Sequence, residues 1–331
     1  MTNQHQAVLP AGIASIEPVA VPPTPGPISV LPNPTPVFTT AVEAGGGEVV
    51  PLSEATRGLV WLSYAHSSEL GDTLAANPQI DWVQLPWAGV DAFSDVLEAQ
   101  ARPGLTFTSA KGAYAQPVAE HALALTLALL RVLPKRARAT HWETKPEGRS
   151  LYGLNVVIIG AGGIAHELIS LLEPFRADVT VVRRSADAVH GAARTVQTDR
   201  LHEVLPTADV VIVAAALTAG TRHLIGAPEL ALMQSNANLV NIARGPLVDT
   251  AALVDALAAG RIAGAALDVT DPEPLPDGHP LWHEPRCLIT PHMADTPEMT
   301  APLLAERIRW NVAAFLSDAR FIGVVDPHLG Y

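Results

Sequence analysis

Residues 155–172 read NVVIIGAGGIAHELISLL, an apolar run followed by a glycine turn and an amphipathic stretch. The run VVII has no polar residue, which is typical of a strand covered on both faces of a sheet. A helix is expected to start directly after the glycines and to continue through LLEPF. This order of strand, turn and helix predicts the first half of a βαβ unit.

The turn itself, Gly160 to Ala165, has the pattern Gly-x-Gly-x-x-Ala. In this pattern the first glycine allows the tight turn, the second lets the backbone approach a pyrophosphate, and the small last residue packs the helix on the strand. The helix N-terminus then faces the anion. Because the pattern lies between a predicted strand and a predicted helix, it indicates a dinucleotide site at Gly160, Gly162 and Gly163 rather than a turn without function.

The next strand, VTVVRRS at 179–185, indicates which dinucleotide is favoured. An acid about 20 residues past the glycines would bind the ribose hydroxyls of NAD and would repel a 2′-phosphate. Arg183 lies 23 residues past Gly160, and that position holds no acid. Arg183 and Arg184 can bind a phosphate in bidentate fashion and Ser185 adds a hydroxyl, which favours NADP(H) over NAD(H). The alternative is two solvated arginines at a strand end.

Strands and helices alternate along the rest of the chain, which predicts an α/β fold with parallel sheets. Before the glycine turn we expect strands in the following segments: ISVLPN, GEVVPL, GLVWLS, WVQLP and LTFTS, with a helix near 35–44. A long apolar helix is expected over 117–142. After the turn, strands are expected at 209–215, 237–243, 263–269 and 287–291, and helices near 228–234, 249–259 and 297–318.

The length, net charge and cysteine count of the chain exclude several classes of protein. The chain has 331 residues, a net charge of −12 and one cysteine. An acidic chain repels phosphate backbones and anionic lipid, so neither nucleic acid nor a membrane is an expected partner. Cys287 stands in an apolar run and is expected to be buried, and one cysteine without a signal-like N-terminus indicates a reducing cytoplasm. Residues 1–27 are Pro-rich and are expected to form an extended arm or a partly disordered tail.

Three further segments carry a resemblance to a known family: NIARGPLVDTAALVDALAAGRIAGAALDV (241–269), DPEPLPDGHPLW (271–282) and ITPHMADTPEM (289–299). With the glycine turn and PVAEHALAL, they resemble the D-isomer-specific 2-hydroxyacid dehydrogenases over roughly residues 80–315. The resemblance implies two Rossmann-like domains with a cleft between them and a homodimer. The nucleotide domain, 117–300, would be inserted into a discontinuous substrate domain, 28–116 plus 301–331.

The resemblance also assigns a catalytic trio. The family's arginine matches Arg244, its glutamate matches Glu273 and its histidine matches His292. Hydride transfer at the C2 atom of a 2-hydroxy acid needs a proton donor or acceptor at the C2 oxygen, and histidine is suited to that role. A carboxylate beside the ring would favour the imidazolium and fix its orientation, and a planar guanidinium can hold the substrate's carboxylate and carbonyl.

Other residues are assigned by the same resemblance. Asp268 would meet the nicotinamide amide, and further cofactor contacts are expected at Ile164, Ala215, Thr221 and Ile242. The loop Trp87, Ala88, Gly89 and Val90 would hold the substrate carboxylate through its backbone N–H groups. The family implies no metal. His121, His279 and His283 are expected to be structural rather than catalytic.

Two departures from the family pattern bear on the site. Where the family often has Gly-Gly after Pro-His-Ile, this chain has Met293-Ala294-Asp295, a less flexible loop with an added acid on the nicotinamide side. No arginine stands between Arg57 and Arg102, so a phosphorylated substrate would lack a counter-charge. A small unphosphorylated 2-oxo acid such as glyoxylate or hydroxypyruvate is therefore expected. The alternatives are an NAD-dependent dehydrogenase of another D-2-hydroxy acid, including 3-phosphoglycerate, and a dinucleotide-binding sensor resembling a corepressor.

Overall fold

A computed structural model describes His5, Ile16 and residues 18–327. Its described residues form two compact units. One unit contains those up to Gln116 together with those from Thr296 onward, and the other is Pro117–Asp295. Most of the predicted 1–27 arm lies outside the described residues.

The first unit is built on a parallel sheet of four strands. Their order is β1-β2-β3-β4, with β1 Ile28–Leu31, β2 Gly58–Trp61, β3 Trp82–Gln84 and β4 Thr106–Thr108. The helices of this unit are α1 Pro36–Ala44, α2 Ser67–Ala76, α3 Ser94–Gln100 and α11 Pro297–Leu316. The buried Trp82 ring stacks on Phe315 and Phe321, which ties the C-terminal segment to the sheet.

The second unit is built on a parallel sheet of seven strands, ordered β11-β10-β9-β8-β5-β6-β7. Its strands are β5 Asn155–Ile159, β6 Asp178–Arg183, β7 Arg194–Gln197, β8 Val210–Val213, β9 Asn238–Asn241, β10 Gly264–Leu267 and β11 Cys287–Ile289. The helices here are α5 Leu133–Ala137, α6 Gly163–Leu172, α7 Leu201–Val204, α8 Ala227–Leu232, α9 Thr250–Ala258 and α10 Pro280–His283. Helix α4 Ala115–Leu130 also belongs here, except for its first two residues, which are part of the first unit. The predicted α/β fold with parallel sheets is confirmed.

Two local predictions were wrong, and one strand was missed. The segment GEVVPL is not a strand, since Val49 makes only an isolated bridge with Ile28 and the following Pro51 has no N–H to extend the ladder. The expected helix over 117–142 stops at Leu130, because Val132 takes a left-handed conformation with φ 55° before the short α5. Strand β7 was not predicted, because its sequence RTVQ carries polar residues at its exposed edge positions.

The strand order places the chemistry of the second unit. The chain leaves β5 towards β6 and β7 on one side, and it returns through β8, β9, β10 and β11 on the other. Ligands of open parallel sheets bind beyond the carboxyl ends of the strands, at such a reversal. Every site residue predicted for this unit stands in or near a segment that follows a strand's carboxyl end. Among the described residues, no helix is long and apolar enough to span a membrane.

Candidate active site

The glycine turn joins β5 to α6 in the way that the sequence predicts. Gly160 has φ +115°, and a Cβ there would lie 2.4 Å from the carbonyl oxygen of Ala214, so only glycine fits. Ala165 is completely buried, as close packing of helix on strand requires. A Cβ at Gly162 would meet nothing within 4 Å. Space is therefore open in front of the α6 N-terminus, where a pyrophosphate would bind.

The end of β6 presents its polar side chains at the same edge of the sheet. Arg183 is half-buried, Arg184 is exposed, and the Ser185 hydroxyl donates to Asp187 Oδ2 at 2.8 Å. Asp187 was not singled out from the sequence, although it stands only two residues past Ser185. The hydroxyl that the sequence assigns to a 2′-phosphate therefore already binds a carboxylate.

The remaining predicted cofactor residues occupy the segments that follow β5, β8 and β9. Ile164 lies in the first turn of α6, Ala215 follows β8, and Ile242 is buried directly after β9. Thr221 binds within its own turn, since its hydroxyl donates to the carbonyl of Ala216 at 2.8 Å and accepts from the amide of Thr218 at 2.7 Å. These contacts order the loop beside the glycine turn.

His292 and Glu273 are in direct contact although 19 residues separate them. The ring nitrogen Nδ1 of His292 lies 2.6 Å from Glu273 Oε1. Since a carboxylate only accepts, Nδ1 carries the hydrogen in this bond, and Nε2 is the nitrogen that can exchange a proton with a substrate. Both side chains are about half exposed, at 51% and 41%.

Arg244 stands at the carboxyl end of β9, and the glycine after it sets its position. A Cβ on Gly245 would lie 1.8 Å from the carbonyl oxygen of Thr270, so two backbone segments touch at this point. The Arg244 guanidinium donates to the carbonyl of Ala243 at 2.7 Å, and the Asn241 amide donates to the carbonyl of Arg244 at 3.0 Å. These contacts fix the backbone that carries Arg244.

A buried acid and a half-buried one lie next to His292. Asp268 is 2% exposed, and burial raises its pKa, but the nearby His121 and hydrogen bonds from the Thr290 hydroxyl and the Met293 amide outweigh burial and hold the pKa below its ordinary value. Asp295 has fewer compensations. Burial and the nearby Asp268 raise the pKa of Asp295 to about 6, although His292 and His121 act in the opposite direction.

The predicted substrate loop lies in the first unit, after β3. Trp87 is 38% exposed, and its ring packs edge-on against Tyr64 at 6.2 Å and Tyr114 at 5.9 Å between ring centroids. Its carbonyl accepts from the amide of Ala110 at 3.0 Å. The neighbouring Ala88 is exposed, Gly89 half-buried and Val90 buried. Aromatic rings therefore border this loop.

Two polar side chains contribute contacts that the sequence did not predict. His121 was assigned a structural role, yet its Nε2 lies 2.9 Å from the Thr290 hydroxyl and 3.4 Å from Asp268 Oδ1. No spacing rule joins positions 121 and 290, so only the folded chain shows this contact. Across residues 18–327 and the isolated His5 and Ile16, no group of three or more His, Cys, Asp or Glu could hold a metal ion.

Comparisons with known proteins give the family. The model of the NAD-binding domain of D-isomer-specific 2-hydroxyacid dehydrogenases matches residues 123–294. An uncharacterized protein from the proB 3′ region of Corynebacterium melassecola is 38% identical over 88% of this chain and 96% of its own length. A glyoxylate reductase of Thermofilum pendens is 33% identical over 74% of each chain. Proteins named D-3-phosphoglycerate dehydrogenase also match.

The solved structures agree with these sequence relatives. A D-isomer-specific 2-hydroxyacid dehydrogenase from Xanthobacter autotrophicus Py2, crystallised with NADPH and MES, superposes with a TM-score of 0.79. It is 28% identical, and the match covers 93% of this chain and 100% of that one. The chain therefore belongs to the D-isomer-specific 2-hydroxyacid dehydrogenases, oxidoreductases that act on CH–OH donors with a nicotinamide dinucleotide.

Proposed function

We propose that this enzyme reduces a small, unphosphorylated 2-oxo acid such as glyoxylate or hydroxypyruvate, with NADPH as its preferred cofactor. The observation that carries the proposal is the 2.6 Å contact between His292 Nδ1 and Glu273 at the same sheet edge as Arg244. Acid–base chemistry at a substrate oxygen needs an oriented imidazole, and this pair supplies one.

Each member of the trio has one task. The glycine turn from Gly160 to Ala165 would hold the dinucleotide, which would supply the hydride for C2 of the substrate. His292 donates a proton from Nε2 to the C2 oxygen, and the same nitrogen accepts it in the reverse reaction. Glu273 accepts from Nδ1, which orients the ring and stabilises the imidazolium. Arg244 holds the substrate's carboxylate and carbonyl oxygens with its planar fork and stabilises the charge that develops on the C2 oxygen.

The first unit supports a small substrate. We assign the loop from Trp87 to Val90 to the substrate carboxylate. Trp87 lies between Tyr64 and Tyr114, and rings of this size leave room for a short side chain. A phosphate group would need a cation nearby, and the sequence has neither arginine nor lysine from 58 to 101.

Initial rates test the reaction. Purified enzyme is assayed with glyoxylate, hydroxypyruvate and, in the oxidative direction, 3-phosphoglycerate. We expect turnover of at least one of the first two and a loss of about 10³-fold or more in His292→Ala, because no other group takes over the proton. His283→Ala, an exposed histidine of α10, is the matched control and should keep wild-type rates. Turnover of 3-phosphoglycerate alone, or full activity in His292→Ala, contradicts the proposal.

The cofactor preference rests on Arg183, Arg184 and Ser185. Although Asp187 accepts the Ser185 hydroxyl, a 2′-phosphate is itself a strong acceptor for the two arginines. Arg183→Asp should lower kcat/KM for NADPH by about 10- to 100-fold, a loss of about 1.4–2.7 kcal/mol, and should leave NADH use nearly unchanged. Arg261→Asp, an exposed site with the same change of charge, is the control. Equal losses with both cofactors would show that Arg183 does not bind the 2′-phosphate and is a solvated residue at the end of a strand.

We further propose a homodimer, as the family resemblance implies, and a cytoplasmic location, which the single cysteine indicates. Light scattering coupled to size exclusion measures the oligomeric state directly. A mass of one chain, 34.8 kDa, at micromolar concentration would contradict the dimer.

A further inference from the structure

The turn that carries His292 is held by a buried carboxylate. Asp268 Oδ1 accepts from the amide of Met293 at 3.0 Å, and Oδ2 accepts from the amide of Ala294 at 3.2 Å. These are the two residues directly after His292, whose own amide donates to the carbonyl of Asp268 at 2.6 Å. Asp268 therefore binds three successive amides of this turn.

The turn needs such support because of its backbone conformation. His292 has φ 51°, in the left-handed region that residues with a Cβ rarely adopt. That conformation costs roughly 1–2 kcal/mol, and it persists only where the surroundings determine it fully. The direction of the catalytic ring thus depends on the bonds that Asp268 makes to the turn.

Asp268 is in turn held by Thr290 and His121. The Thr290 hydroxyl donates to Asp268 Oδ1 at 2.7 Å, and His121 Nε2 lies 2.9 Å from the same hydroxyl. A hydroxyl has one hydrogen, and here the carboxylate accepts it. The Thr290 oxygen must therefore accept from His121, so the hydrogen of His121 is on Nε2. The donors form a chain from His121 through Thr290 to Asp268.

The fold explains why these three side chains meet. β10 and β11 are neighbours in register, with Leu267 opposite Ile289, so Asp268 and Thr290 leave the sheet side by side. His121 reaches them from α4, and its side chain is 21% exposed. The Asp268 carboxylate is almost completely buried, and a buried carboxylate requires several hydrogen-bond donors.

We propose that His121 is a positioning residue for catalysis: through Thr290 it fixes the Asp268 carboxylate, and Asp268 fixes the turn that aims His292. The catalytic consequence rests on the proposed role of His292. The structural part, control of the 292–294 turn by His121 and Thr290, is independent of any substrate.

The first test compares matched pairs of variants by steady-state kinetics. Thr290→Val keeps the side-chain shape and removes the hydroxyl, whereas Thr290→Ser keeps the hydroxyl. His121→Ala removes the donor, whereas the amide nitrogen of His121→Gln can replace Nε2. We expect His121→Ala and Thr290→Val to lower kcat by about 10- to 100-fold, as a misaimed catalytic group does, with KM for NADPH changed by less than about 3-fold. Thr290→Ser and His121→Gln should both keep kcat within about 3-fold of the wild-type value.

The second test reads the turn without using activity. Amide hydrogen exchange is followed by mass spectrometry in peptides that cover 290–295, with the β8 strand at 210–213 as an internal reference. In His121→Ala and Thr290→Val the amides of Met293 and Ala294 should exchange at least about 10-fold faster while β8 is unchanged, because opening would be local.

The outcomes separate the two proposals. Unchanged exchange at 290–295, faster exchange throughout Pro117–Asp295, or failure of both conservative variants to restore kcat would overturn the positioning role. If the wild type turns over no 2-oxo acid, the proposed function fails, and the exchange experiment still decides whether His121 and Thr290 hold the turn.

Discussion

Replacing Gly245 with alanine tests how closely two backbone segments of the candidate site must approach. The added Cβ would lie 1.8 Å from the carbonyl oxygen of Thr270, 2.1 Å from its carbonyl carbon and 2.7 Å from the amide nitrogen of Asp271. All three are main-chain atoms, so no side chain can rotate away. Since Cβ atoms essentially never come within 3.0 Å of a heavy atom, the segments would have to separate by about 1.2 Å, the difference between 1.8 and 3.0 Å.

The size of the effect follows from this displacement. Forcing an extra carbon into a packed region costs about 1–3 kcal/mol, and a main-chain clash belongs at the upper end. A loss of about 3 kcal/mol lowers the unfolding midpoint of a domain of this size by roughly 6–12 °C. Arg244 precedes Gly245, and Glu273 lies three residues past Thr270, so the same separation moves Arg244 relative to Glu273. A shift of about 1 Å in a catalytic group costs about 100-fold in rate.

Thermal unfolding and initial rates of 2-oxo acid reduction measure the two effects on one protein sample. Gly162→Ala is the informative comparison, because its Cβ would meet nothing within 4 Å in the protein alone. That variant should keep the wild-type unfolding midpoint and should raise KM for the cofactor, whose pyrophosphate would meet the new methyl group. If Gly245→Ala keeps both the midpoint and the rate within error of wild type, the inferred contact between the segments is wrong.

Two further predictions concern stability. Burial raises the pKa of Asp295 to about 6, above its ordinary value of 3.8, so the folded protein binds this proton more tightly than the unfolded chain. The stability that the proton contributes is therefore fully present below pH 3.8 and is lost as pH rises through about 6. Relative to Asp295→Asn, the wild type should lose about 1–2 kcal/mol of unfolding free energy between pH 4 and pH 7, after discounting for solvent screening; parallel pH curves would refute this. Arg307 is fully buried in the first unit and donates to the carbonyls of Ser109 and Lys111. Arg307→Met should lower the unfolding free energy by about 2–4 kcal/mol in urea titrations, and an unchanged midpoint would show that these carbonyls find other donors.

Much of the second unit follows from local pattern. The VVII run and the glycines after it predict a buried strand and a left-handed turn without any knowledge of neighbours, and the structure has β5 and Gly160 at φ +115°. The break after Leu130 was not predicted, because the apolar pattern continues through Val132 and Leu133 while the backbone does not. Apolar periodicity predicts which residues are buried, but it does not predict where a helix ends or changes direction.

In the candidate site, too, local pattern predicts some features and not others. In a parallel sheet every residue that follows a strand reaches the same edge, so an apolar run is enough to predict that Arg244, Asp268 and His292 share an edge. Which of them touch depends on strand order, and no local pattern gives that order. β10 beside β11 brings Asp268 to Thr290, and α4 adds His121 from a position 147 residues earlier in the chain than Asp268. The family motif therefore predicts the catalytic residues, whereas the side chains that we propose to orient them are apparent only when the strands are placed side by side.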